Sequence, residues 1–152
     1  MREWVIFLSA LLGTFLIDQA TKELFLNGFE YKSRCISLEL HLNRGVAFSM
    51  FSFLGNYLKW IQLFLIMLLV IFVIKEGWIK KYPLFLALLM GGALGNLYDR
   101  FIHNSVVDFV YWHCGFNFAV FNFADVAIDI GIGAIIIFEL LKNRKKSEVE
   151  KD

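Results

Sequence analysis

Four segments of this 152-residue chain are long and apolar enough to cross a bilayer, a distance that takes about 20 residues as a helix. They run from about Trp4 to Leu24, Tyr57 to Ile74, Pro83 to Tyr98 and Phe123 to Leu141. With 59% of residues hydrophobic and only 19% charged, a soluble domain of this size could not cover its apolar surface. A net charge of +1 offers nothing to attract nucleic acid, and no repeat or low-complexity stretch interrupts the chain. One integral membrane domain over 1–152 is the expectation. The first segment is not expected to be a cleaved signal peptide, because its apolar stretch is long and lacks a small-residue cleavage site before Asp18.

Lysine and arginine in the short segments set the expected orientation. The connection "KEGWIKKY" (75–82) carries three lysines, the tail "KNRKKSEVEKD" opens with four basic residues in five, and Arg2 sits at the other end. All belong on the cytoplasmic side, with both termini, so the longer loops 25–56 and 99–122 face outward. Pro83 suits a helix start, where its missing N–H costs nothing. Gly91 and Gly95 form a GxxxG, which lets a neighbouring helix approach closely.

The outer loops carry patterns of their own. In "ISLELHLN" (36–43) Ile36, Leu38, Leu40 and Leu42 alternate with polar residues, which predicts a strand with one apolar face on the membrane surface or capping the bundle. The second outer loop is crowded with Phe109, Tyr111, Trp112, Phe116, Phe118 and Phe121, a composition that suits an interfacial aromatic belt or the lining of a site for a lipid-bearing ligand. Cys35 and Cys114 both fall in outward loops, where a disulfide is chemically allowed but no cysteine framework calls for one. His41, His103 and His113 lack metal-ligand spacing and read as solvated loop residues, so no metal or cofactor is expected.

The costly polar groups cluster at the outer ends of the spans: Asp18 and Lys22, Asn96, Asp99 and Arg100, Asp108, then Asn122 and Asp125. Ionisable residues at membrane depth usually face the interior and have a function there. Each has a plainer explanation too. Asp18 and Lys22 are spaced as a helical i, i+4 ion pair, and Asn122 with Asp125 has the form of a helix cap. Capping does not account for Asp108, nor for two acids at one depth. Two such carboxylates suggest a dyad sharing one proton, the ionised acid activating water and the protonated one bonding the scissile carbonyl. Asp129, a turn deeper than Asp125, is expected to be protonated or paired inside the bundle.

The motifs "DQATK" (18–22), "NRGVAF" (43–48), "GGALGNLYDR" (91–100), "VVDF" (106–109) and "FNFAD" (121–125) resemble, in order, those of the lipoprotein signal peptidases, also called signal peptidase II. The resemblance covers nearly the whole chain. It implies an all-α membrane protein of four transmembrane helices with a small extracytoplasmic β-sheet. It also implies a metal-free aspartic endopeptidase of the bacterial inner membrane, cutting diacylglyceryl-modified prolipoproteins just before the lipidated cysteine. By motif, the catalytic acids are Asp108 and Asp125. Asn43, Gly45, Asn96 and Arg100 correspond to substrate-facing residues, Asn122 to a residue supporting the dyad, and Asp18 with Lys22 to a structural polar pair. Membrane lipid and globomycin-type peptide antibiotics are implied partners, and a monomer is expected. The chain departs from the family pattern at Ala119-Val120, where Pro-Ala is common, and at Val126, where a small hydroxyl residue often follows the second acid. Without the resemblance, a small proton-coupled transporter or a non-enzymatic lipid-binding factor would compete. The acids gather at one rim instead of forming a path, and no inverted repeat is visible.

Overall fold

The computed structural model describes residues 1–45 and 50–149. Val46, Ala47 and Phe48 of the "NRGVAF" motif, and the end of the charged tail, lie outside the described residues. The elements run α1 (Arg2–Leu26), β1 (Tyr31–Lys32), β2 (Ile36–Asn43), α2 (Tyr57–Lys75), α3 (Trp78–Lys81), α4 (Pro83–Ile102), β3 (Val106–Trp112) and α5 (Phe123–Val149). Each predicted apolar segment falls on one of the long helices α1, α2, α4 and α5. The helices overrun the predicted ends, most of all α5, which continues from Leu141 to Val149. Hydropathy marks where the apolar stretch stops, whereas Lys, Arg and Glu sustain a helix well beyond it.

Among the described residues, α1 and α2 are long and apolar enough to cross a membrane. Leu8, Leu12 and Leu16 on α1 and Phe64, Leu68 and Phe72 on α2 are exposed in rows, a surface that suits lipid and not water. Helix α4 is the buried centre. A Cβ on Gly91 would stand 2.8 Å from the Thr14 Cβ, and one on Gly95 would collide with the Asp18 carboxylate, so this pair admits α1. Gly92 faces the other way, where an added Cβ would meet the Ala124 carbonyl of α5 at 2.5 Å. One end of the bundle is closed by an apolar cluster that includes Phe7, Val73, Ile79, Tyr82, Leu86 and Ile135. The sheet and the polar residues occupy the other end.

The three strands form an antiparallel sheet in the order β1-β2-β3. Strand β2 spans the predicted residues, and of the two placements expected for its apolar face the structure disfavours capping the bundle. Leu40 and Leu42 are 40% and 54% exposed, while Ser37 is buried and Asn43 turns inward to Asp108. A register shift falls between Leu38 and His41. The polar face bonds Asp108 and His113, whereas Leu40 and Leu42 are exposed among the described residues. The aromatic loop also needs correction, since Phe109, Tyr111 and Trp112 belong to β3. The run "VVDFVYW" is rich in β-branched and aromatic residues, and β2 supplies its pairing edge. Cys35 and Cys114, which spacing left undecided, are joined by a disulfide that ties the start of β2 to the loop after β3. His113 donates its backbone N–H to the Cys35 carbonyl, and its ring lies 3.0 Å from the Ser37 hydroxyl. Half-buried His41 lies on β2, and His113, in the loop just after β3, is half-buried, so neither is the solvated loop residue expected, whereas His103 is exposed.

Candidate active site

Asp108 and Asp125 are 17 positions apart, and the backbone closes that gap. The chain leaves β3, loops through 113–120 and returns so that Phe121 pairs with Val110. That return delivers Asn122, and the start of α5, beside Asp108. Asn122 caps the helix reciprocally. Its Oδ1 accepts the Asp125 N–H at 3.0 Å, and the Asp125 Oδ2 accepts the Asn122 N–H at 3.1 Å.

The Asn122 side chain then links Asp108 to Asn96, and Asn96 carries the link to Asp125. Asn122 Nδ2 donates to the Asp108 Oδ1 at 2.8 Å and to the Asn96 Oδ1 at 3.0 Å, and Asn96 Nδ2 donates to the Asp125 Oδ1 at 2.8 Å. Asn43 completes the set, donating Nδ2 to the Asp108 Oδ2 at 2.9 Å. Asp108 is 2% exposed. Burial pushes its carboxyl up to about 6, the nearby Asp125 charge adds to this, and the amides of Asn43 and Asn122 oppose it.

Behind the acids lies a buried ion cluster. Lys22 Nζ contacts the Asp18 Oδ2 at 2.8 Å and the Asp99 Oδ2 at 2.7 Å, with all three side chains no more than 1% exposed. It also donates to the Asn96 Oδ1 at 3.0 Å. Both carboxylates also hold backbone: the Asp18 Oδ1 accepts the Ala124 N–H at 3.0 Å, and the Asp99 Oδ2, already on Lys22, accepts the Val107 N–H at 3.1 Å. One ammonium thus joins α1 to α4, and its two carboxylates fix the start of α5 and β3. The i, i+4 pair predicted from the sequence is present as part of a larger cluster. Asp99 is among the clustered polar groups at the outer span ends, with no role of its own assigned from the sequence.

In front of the acids is a cavity of about 460 Å³, lined by Asn43, Asn96, Arg100, Asp108 and Asp125 together with apolar Leu58, Ile61, Leu65, Phe118, Val120 and Ile128. Arg100 donates to the Gly45 carbonyl at 2.7 Å and to the Gln62 Oε1 at 2.8 Å, and Gly45 donates its N–H to the Asn43 Oδ1 at 2.9 Å. These bonds hold the end of β2 at the mouth. Asp129 is exposed and lines the same cavity, so the expectation that it pairs inside the bundle fails. The buried stripe of α5 runs Ala124, Ala127, Gly131, Ile135 against α4, and Asp129 falls off that stripe.

Comparison with known proteins identifies the family. The family model for signal peptidase (SPase) II matches residues 10–141. A lipoprotein signal peptidase of Sulfurovum sp. (strain NBC37-1) is 58% identical over 137 residues, 90% of this chain and 94% of that protein. One from Helicobacter pylori (strain P12) is 40% identical over 147 residues, covering 96% and 94%. Among solved structures, a bacterial membrane enzyme determined in meso at 2.3 Å resolution superposes with a TM-score of 0.77 at 28% identity, covering 91% of this chain and 89% of that one. The chain belongs to the signal peptidase II family.

Proposed function

We infer that this membrane enzyme is an aspartic endopeptidase that removes the signal peptide from prolipoproteins, with Asp108 and Asp125 as its catalytic acids. The observation that carries the assignment is that buried Asn122 holds both carboxylates, Asp108 through its side-chain amide and Asp125 through its backbone N–H, at the wall of a largely apolar cavity. Sharing one proton, the pair can act in both directions. The ionised acid takes a proton from water as its oxygen attacks the scissile carbonyl. The protonated acid hydrogen-bonds the developing oxyanion. Collapse then breaks the C–N bond, and the proton held by the base passes to the leaving amine. The amides of Asn43, Asn96 and Asn122 hold the carboxylates in register. Asn43, Gly45 and Arg100, tied together at the mouth, are suited to meet the substrate backbone, and Asn96 reaches it from the cavity wall.

In this reading residues 1–152 form one domain that acts as a monomer, with α1, α2, α4 and α5 all crossing the inner membrane. Both termini lie in the cytoplasm, and the sheet and site lie at the extracytoplasmic face. The lysines of 75–82 and the basic tail support that orientation. The apolar side of the cavity, with Ile61, Leu65 and Ile128, suits a diacylglyceryl chain that stays among lipid tails while the peptide crosses the acids just before the modified cysteine. Globomycin-type peptides would inhibit by occupying the same acids. The decisive test is cleavage of a purified lipidated prolipoprotein by wild type and by Asp108→Asn and Asp125→Asn. Both folded variants are expected to lose cleavage, and near wild-type turnover by either would remove that residue from the pair.

A further inference from the structure

We propose that Lys22 is a positioning residue for the reaction: it fixes the polarity of the Asn96 amide, so that Asn96 presents N–H, and never C=O, to Asp125. This rests on the assignment of Asp108 and Asp125 as the catalytic pair. An ammonium can only donate. The Asn96 atom 3.0 Å from Lys22 Nζ is therefore the amide oxygen, and the nitrogen must face the Asp125 Oδ1, 2.8 Å away. The same oxygen accepts from Asn122 Nδ2, whose second hydrogen reaches Asp108. Hydrogen bonds thus run in one direction, from the ammonium through Asn96 to Asp125, and from Asn122 to Asp108. Reversing the Asn96 amide would set C=O against the Asp125 carboxyl and NH2 against the Asn122 NH2. The acid would then have to be protonated to make the contact at all.

Lys22 and Asn96 are buried, so solvent cannot replace the ammonium as the donor to the Asn96 oxygen. The charged groups around the acids are Lys22 and Asp18 from α1, Asp99 and Arg100 from α4, and Asp129 from α5. From β2, His41 is the cross-strand neighbour of Asp108, and α2 lines the cavity with uncharged Gln62. Asp18 and Asp99 hold Lys22 on its other side, which keeps its remaining N–H aimed at Asn96.

The variants that separate donor from charge are Lys22→Met/Asp99→Asn, which removes the ammonium but leaves the net charge of the cluster unchanged, and Lys22→Gln, which loses the charge but keeps an N–H donor. Full-length proteins in detergent, checked for folding, would be assayed for kcat and KM on lipidated substrate from pH 4.5 to 9, beside Asp108→Asn. The double variant is expected to lose about fivefold in kcat at pH 6 and about twofold at pH 7, with KM within about twofold and the ascending limb of kcat moved up by about one pH unit. Lys22→Gln is expected to keep the limb near the wild-type position. A folded double variant with an unmoved limb would overturn the proposal, whatever its kcat. If the double variant does not fold, Lys22→Gln decides: a limb displaced by a full unit there would assign the effect to charge and refute the donor role. Failure of the catalytic assignment would look different, because Asp108→Asn would then still cleave.

Discussion

The acid limb of the pH–rate profile follows from the burial of Asp108, and Asn43 is the residue with which to move it. The carboxyl is 2% exposed and is pushed up to about 6 from an ordinary 3.8. At about 1.36 kcal/mol per unit, the site disfavours the ionised form by about 3 kcal/mol even with two amides donating to it. Catalysis needs one ionised acid, so kcat should fall below about pH 6, reaching roughly a tenth of its plateau near pH 5. The limb is a property of the coupled pair and not of one residue. Asn43→Ala removes the 2.9 Å bond to the Asp108 Oδ2. A hydrogen bond to a charged group contributes about 1.5–3 kcal/mol, and half-buried Asn43 belongs at the low end. Losing a donor to the anion raises the carboxyl further, so the limb should move up by about one unit. At pH 6 the variant should therefore turn over about fivefold more slowly than wild type, and near pH 8.5 the two should converge. Stopped assays on lipidated substrate at saturation would measure this. A wild-type profile flat to pH 4.5, or a limb that Asn43→Ala leaves in place, would refute the reasoning.

The same carboxyl links stability to pH. Because its folded-state value is raised, its contribution is full below about 4 and is lost as pH rises through about 6, so Asp108→Asn should gain about 3 kcal/mol relative to wild type between pH 4 and pH 8, read from unfolding in detergent at the two pH values. Gly92→Ala should cost about 1–3 kcal/mol, because the new methyl meets the Ala124 carbonyl, whereas Gly133→Ala, with open space around it, should be neutral in the same unfolding assay. Reducing the Cys35–Cys114 disulfide should lower stability by about 2–4 kcal/mol, and equal unfolding with and without reductant would contradict a structural role for it. A cysteine at exposed Asn117 should react with an impermeant reagent from outside, and one at Lys80 should not; the opposite pattern would invert the proposed topology.

By itself the sequence determined the long helices, because length and hydropathy alone decide whether a segment can satisfy its backbone in hydrocarbon. It marked Gly91 and Gly95 as a place of close helix approach, since only a residue without a side chain permits it, and the fold supplied α1 as the partner. It also singled out the Asn122–Asp125 cap and the Asp18–Lys22 pair, because both are local contacts within one helical turn. What tertiary structure decided was everything that depends on which chain segments meet. The return of Phe121 onto Val110 brings Asp125 to Asp108, and no spacing rule encodes a hydrogen bond between strand and loop. Periodicity showed that β2 has two faces but not which one turns inward, because Asn43 and Ser37 had partners on other elements while Leu40 and Leu42 are exposed among the described residues. Asp99 became part of the site only when α1 was laid against α4, since its meaning is the ammonium of Lys22, 77 residues away in sequence and 2.7 Å away in space.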